Sequence, residues 1–218
     1  MPAGMEKLYQ NYVLMPQAVV SATLGNRATI LLSHYCISGQ EMQKIVIIPI
    51  GEADQNSLDS IARELREIYG CETVIGDTFP IPEKTYNKRR QQHHSTRILK
   101  ALESLKPRGY DVVLGVIDRD LYVPELNFVF GEADVLARIA IIGLPRLRQE
   151  YYGLEPDQDL FLLRAAKEAI HETGHACGLG HCPDPRCVMH FSNSLRDTDK
   201  KEQAFCFACR NKLKAGGA

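Results

Sequence analysis

The chain has 218 residues, 44% of them hydrophobic, and a formal net charge of −1. That balance fits one ordinary globular domain with a real core, and it excludes both compositional disorder and attraction to polyanions by bulk charge. No run reaches the roughly 18 apolar residues of a membrane span, and no basic segment followed by an unbroken apolar stretch opens the chain as a signal peptide would.

Residues 1–42 are the least informative. Val19-Val20 and Ile30-Leu31-Leu32 flank Gly25-Asn26, a pattern that permits a two-residue hairpin. The stretch as a whole reads as a dispensable extension. Residues 44–50 (Lys-Ile-Val-Ile-Ile-Pro-Ile) are continuously apolar after the lysine, as a strand covered on both faces would be. Leu58, Ile61, Leu65 and Ile68 recur at helical spacing, with Ser57 placed to cap the start and Gly70 to stop the end. Residues 72–75 read as a second strand and 76–84 as a loop. Ser95 caps a second predicted helix carrying Ile98, Leu99, Leu102 and Leu105, which halts before Pro107. Residues 111–117 read as a third buried strand. Strands alternating with helices imply right-handed crossovers and a largely parallel sheet, an α/β architecture.

Lys84, Lys88, Arg89, Arg90 and Arg97 make residues 84–100 basic. Only Tyr86 interleaves them, which is thin support for base stacking. The stretch therefore reads as a solvated helix entrance, with no nucleic-acid partner. His93 and His94 are adjacent and point in different directions, so they read as surface histidines. Residues 126–131 and 134–142 read as two further strands.

Asp157 is the predicted N-cap of a long helix whose Leu160, Leu163, Ile170 and Cys177 would pack on the sheet. Near its end lies His171-Glu172-Thr173-Gly174-His175, two imidazoles one turn apart on one face and shared with Arg164 and Glu168. Glu168 reads as a solvent or supporting group and not as a ligand. Gly178 suits the left-handed turn that ends a helix, and the chain can then bring His181 back as a third ligand. Three histidine nitrogens leave zinc one open tetrahedral position, which marks a catalytic site. Glu172 points away from the ligand pair and is placed to act as general base toward the metal's water. The bland alternative is a buried helix with scattered histidines.

Cys182, Cys187, Cys206 and Cys209 form two close pairs, the spacing of a closed four-cysteine zinc site. Two disulfides, or four unrelated thiols, are the alternatives. An odd total of seven cysteines suits metal binding in the reducing cytoplasm, leaving Cys36, Cys71 and Cys177 as buried thiols. Residues 210–218 are basic, then glycine-rich, and are expected to fray.

The His-Glu-x-x-His-x-x-Gly-x-x-His signature, followed by Met189, resembles the metzincin clan of zinc proteases. The cysteines embedded after it resemble the archaemetzincin family in particular, over roughly residues 43–210. The resemblance implies a zincin-like twisted mixed sheet packed on an active-site helix (residues 43–181) and a small irregular C-terminal subdomain (182–218). It implies two zinc ions: a catalytic one on His171, His175 and His181 with Glu172 as base, and a structural one on the four cysteines. Met189 would be the Met-turn floor beneath the ligands. An edge strand at Asn127, Phe128, Val129, Phe130 and Gly131 would pair with an extended peptide substrate, although a plain edge strand is an equal reading. Some metzincins carry a tyrosine two residues after the methionine; here Phe191 stands there. The expected function is a cytoplasmic, monomeric zinc metallopeptidase acting on peptides or proteins. The alternative is a zinc-binding recognition domain with little or no hydrolysis.

Overall fold

The computed structural model describes residues 42–216. The hairpin expected about Gly25-Asn26, Cys36, and all but the last residue of the proposed extension lie outside the described residues.

The chain runs β1 (Lys44–Ile50), α1 (Gln55–Tyr69), β2 (Glu72–Ile75), β3 (Tyr86–Asn87), β4 (Gln92–His94), α2 (Ser95–Glu103), β5 (Val112–Ile117) and β6 (Leu121–Tyr122). It continues through β7 (Gly131–Asp134), β8 (Ile139–Gly143), α3 (Gln158–Ala176), α4 (Leu195–Lys200) and α5 (Phe207–Lys214). The main sheet has the order β2-β1-β5-β8-β7. Its first four strands are parallel, and β7 closes one edge antiparallel to β8.

The apolar runs are unbroken because both faces of the sheet are covered. Ile45, Ile47, Val112, Leu114, Val116, Ala140 and Ile142 pack toward α1 and α3. The alternate residues Val46, Ile50, Val113, Ile117, Ile139 and Ile141 pack toward Ile98, Leu99 and Leu102 of α2. Each fully buried aliphatic side chain contributes on the order of 1.5–3 kcal/mol. The expected α/β class and mixed sheet are both observed.

Local details differ in informative ways. The cap of α1 is Asp54, not Ser57: its carboxylate accepts from the Ser57 N–H at 2.9 Å and the Ser57 hydroxyl at 2.8 Å. Ser95 begins α2, but its hydroxyl donates to Tyr122 O (3.1 Å) and to Glu132 instead of capping its own helix. Glu132 also accepts from Thr96 at 2.7 Å, so a carboxylate from β7 serves the α2 N-terminus, where negative charge is favoured.

Residues 86–122 hold a second, three-stranded sheet, β3-β4-β6, that the sequence reading lacked. His93 lies in it, buried and 3.0 Å from Thr85 Oγ1, so it is not a surface histidine. Two members of the basic stretch face protein, because Arg90 donates to Leu126 O and Asn127 O and Arg97 donates to Lys84 O. Residues 210–214, the start of the tail expected to fray, continue α5 as helix.

The strand predicted at 126–131 is mostly irregular. Val129 makes one antiparallel bridge to Leu121, and the true edge strand starts at Gly131. The single strand predicted over 134–142 is the tail of β7, a turn and then β8. Alternation of apolar residues cannot separate a strand from a packed loop when both lie on the same core, and here it did not.

Candidate metal centre and catalytic site

Helix α3 begins where Asp157 Oδ1 accepts from the Leu160 N–H (3.0 Å). It ends as its glycine predicts: Gly178 adopts φ 91°, and the Leu179 N–H returns to Gly174 O at 3.0 Å. The apolar stripe is the predicted one in part: Ile170 and Cys177 are buried in the core. Leu163 is exposed and Leu160 half-buried, while Phe161, Ala165, Ala169 and Ile170 form the core face. Small alanines let the helix lie close on the sheet.

The turn after Gly178 brings His181 back to His171 and His175, and the ligand-capable nitrogens of the three lie within 4.8 Å of one another. Two of the rings are aimed by backbone carbonyls. His171 Nδ1 donates to Val188 O at 2.8 Å, and His175 Nδ1 donates to Leu179 O at 2.7 Å. Both Nε2 atoms therefore face inward, 3.0 Å apart. Two nitrogens on a tetrahedral zinc would stand about 3.3 Å apart, so the pair fits a shared cation with little adjustment. Burial holds all three rings below the ordinary histidine pKa, His181 at about 3, which keeps them neutral as ligands must be.

Glu172 is buried beside this cluster. Burial, and then Glu168, pushes its carboxyl well above the usual carboxylate range. Its side chain lies on Gly131 at the start of β7, which joins helix and edge strand. Met189 is fully buried, and a Cβ placed on Gly174, between the two helical histidines in sequence, would fall 2.5 Å from its Sδ. Phe191 packs edge-on to His181, ring centroids 5.1 Å apart, and carries no hydroxyl for the substrate.

The sulfurs of Cys182, Cys187, Cys206 and Cys209 also cluster within 4.8 Å. Cys182 and Cys206 Sγ are 3.7 Å apart, against about 3.8 Å for two thiolates on tetrahedral zinc. The Cys206 N–H donates to Cys187 Sγ at 3.3 Å. All four are free of disulfides, as are Cys71 and Cys177, both buried. The donor set and spacing fit a closed zinc site.

The five residues expected to meet a peptide divide. Asn127 O is taken by Arg90 (3.0 Å) and Gln92 (2.9 Å), the Val129 N–H by Leu121 O (3.0 Å), and Phe130 O by the Gly143 N–H (2.8 Å). Phe128 packs on Phe130, with Arg146 over its ring. Only Gly131 belongs to the edge strand. Since Phe130 bonds inward to β8, parity turns the backbone groups of Gly131 and Ala133 outward.

Missed entirely was a set of charged partners under the helix. Arg164, read as facing the cleft, is buried and forks onto Asp199 at 2.6 and 2.7 Å. Glu168, read as a solvent or supporting group, is buried against Lys201 at 3.0 Å and Thr198 at 3.1 Å. The available signal was that Arg164, Lys167 and Glu168 continue the histidine stripe on a helix that is otherwise buried, so they needed partners somewhere.

The family model described as Peptidase family M54 matches residues 42–215. The archaemetzincin of Methanocaldococcus jannaschii is 44% identical over 177 residues, covering 81% of this chain and 96% of that one. The crystal structure of the archaemetzincin of Methanopyrus kandleri superposes with a TM-score of 0.72 at 36% identity, covering 83% and 98% of the two chains. A zinc-dependent peptidase of Methanocorpusculum labreanum gives a TM-score of 0.72 at 28% identity, covering 78% and 99%.

Proposed function

The chain belongs to peptidase family M54, the family its archaemetzincin relatives represent, and from that premise we propose how this zinc metallopeptidase works and which residues carry it. His171, His175 and His181 hold the catalytic zinc, and Cys182, Cys187, Cys206 and Cys209 hold a second, structural one. The observation that carries this reading is the convergence of three neutral imidazoles on one point, with the Glu172 carboxylate beside them at the free end of an edge strand.

When bound, a three-histidine zinc supplies Lewis-acid polarisation of the scissile carbonyl and lowers the pKa of water to about 7. Glu172 takes the proton from the attacking water and delivers it to the leaving amine. A substrate peptide adds as a further strand against the outward N–H and C=O groups of Gly131 and Ala133, which lays its scissile bond beside Glu172. Met189 supports the ligand-bearing turn from below. Phe191 offers no hydroxyl to stabilise an oxyanion, so slow turnover is expected.

Residues 182–216 act as a clamp after the third ligand and draw folding energy from the structural zinc. Four thiolates suit the reducing cytoplasm. Among the described residues no helix is long and apolar enough to cross a membrane.

Glu172→Gln tests the mechanism. The variant should keep both zinc ions and its melting temperature while kcat on a peptide library falls by roughly 10²–10⁴-fold. Turnover that survives the change would remove Glu172 as base. Absence of turnover in the unaltered protein would favour a zinc-dependent peptide-recognition role.

A further inference from the structure

We infer that Lys201 is a positioning residue for His171, acting through the main chain of residues 201–204 and 186–188; the inference rests on the three histidines being the zinc ligands. Lys201 is fully buried, yet it carries an ammonium group. Its Nζ lies 3.0 Å from Glu168 Oε1, on a carboxylate that is itself buried and also accepts from Thr198 Oγ1. Glu168 stands three residues before His171, on the same face of α3.

From Lys201 the chain leads straight back to that histidine. The Glu202 N–H donates to Arg186 O at 2.7 Å, and Ala204 O accepts from the Val188 N–H at 3.0 Å. Val188 O then accepts from His171 Nδ1 at 2.8 Å. The circuit Glu168, Lys201, Ala204, Val188, His171 thus leaves one turn of α3 and returns to the next. It sets the Val188 carbonyl at a fixed height over the imidazole. That bond places the proton on Nδ1 and leaves the Nε2 lone pair for the metal.

Stability alone does not account for a lysine here. A buried ion pair is often matched or bettered by apolar residues of similar volume, because desolvation offsets the attraction. A charge-assisted bond is directional where an apolar contact can slide. The neighbouring contacts are directional too: Arg164 forks onto Asp199, and Lys167 Nζ reaches Thr198 O (3.2 Å) and Asp199 O (3.4 Å).

The test uses the full chain, with zinc content by elemental analysis, chelator competition, the absorption spectrum of the cobalt-substituted three-histidine site, and thermal melting. Lys201→Met should weaken metal at that site by roughly 10–100-fold and alter its cobalt spectrum, with the four-cysteine zinc retained. Glu168→Gln combined with Lys201→Met removes the stranded carboxylate. It should recover the melting temperature without recovering metal affinity, and it also serves if the single variant does not fold. Unchanged affinity and spectrum in the variants would overturn the inference. So would a double variant in which affinity returns together with stability, since the pair would then be structural only. An unaltered chain that binds no metal through its histidines would instead sink the zinc-site reading itself, and the tether with it.

Discussion

Gly131 of β7 and Glu172 of α3 touch so closely that a Cβ placed on the glycine would fall 2.5 Å from Glu172 Cγ and 2.6 Å from Ile141 O. The Glu172 side chain, the proposed base, is therefore held against the edge strand proposed to bind peptide by the absence of a side chain at Gly131. Gly131→Ala must push either the strand or the glutamate. Overpacking of this kind costs about 1–3 kcal/mol. We expect kcat/KM to fall at least about tenfold, the rate equivalent of 1.4 kcal/mol, with zinc content unchanged. A variant as active as the unaltered protein would show that this contact does not position Glu172.

Gly174 and Met189 are coupled in the same way, with 2.5 Å between a Cβ on Gly174 and Met189 Sδ. In an open helix the change from glycine to alanine would stabilise by about 1 kcal/mol. Gly174→Ala should destabilise here, and Met189→Ala should do so by about 2–5 kcal/mol through the cavity it leaves. Combined, the two should cost less than their sum, with a coupling of about 0.5–3 kcal/mol by denaturant unfolding. Simple additivity would place Met189 elsewhere in solution.

Cys206→Ser removes one corner of the sulfur cluster. Zinc per chain should fall from two to one, and the melting temperature should drop, because binding free energy at a structural zinc site is folding free energy. Elemental analysis beside calorimetry measures both. Two zinc ions retained, with unchanged melting, would leave the cluster as ordinary thiols.

Asp54 gives a pH signature in the fold. Its bonds from Ser57, side chain and then backbone, lower its carboxyl below the ordinary 3.8. A depressed carboxylate contributes stability above its unfolded pKa and loses it as pH falls through the folded value. Asp54→Ala should therefore be less stable by about 1 kcal/mol at neutral pH, with the gap closing below pH of about 4. A gap independent of pH would mean the cap is not ionic.

How much was legible follows from range. The histidine helix, its Asp157 cap, the Gly178 turn, the four cysteines and the buried central strands were all readable, because each depends on spacing along a few consecutive residues. Helical period, strand burial and ligand interval survive in one dimension. The shift of the edge strand from 127–131 to Gly131–Asp134 was not readable, since bonds from Arg90, Gln92, Leu121 and Gly143 decide which residues stay free.

What the sequence determined by itself is the chemistry: which atoms can meet a metal, and which carboxylate stands beside them. What only the tertiary structure decided is the set of partners that aim those atoms. The lysine opposite Glu168, 33 residues on, the carbonyl over His171 and the bare Cα beneath Glu172 come from elements far apart along the chain. A buried charge or a close contact dictates that some partner must exist, but only packing in three dimensions selects which one arrives.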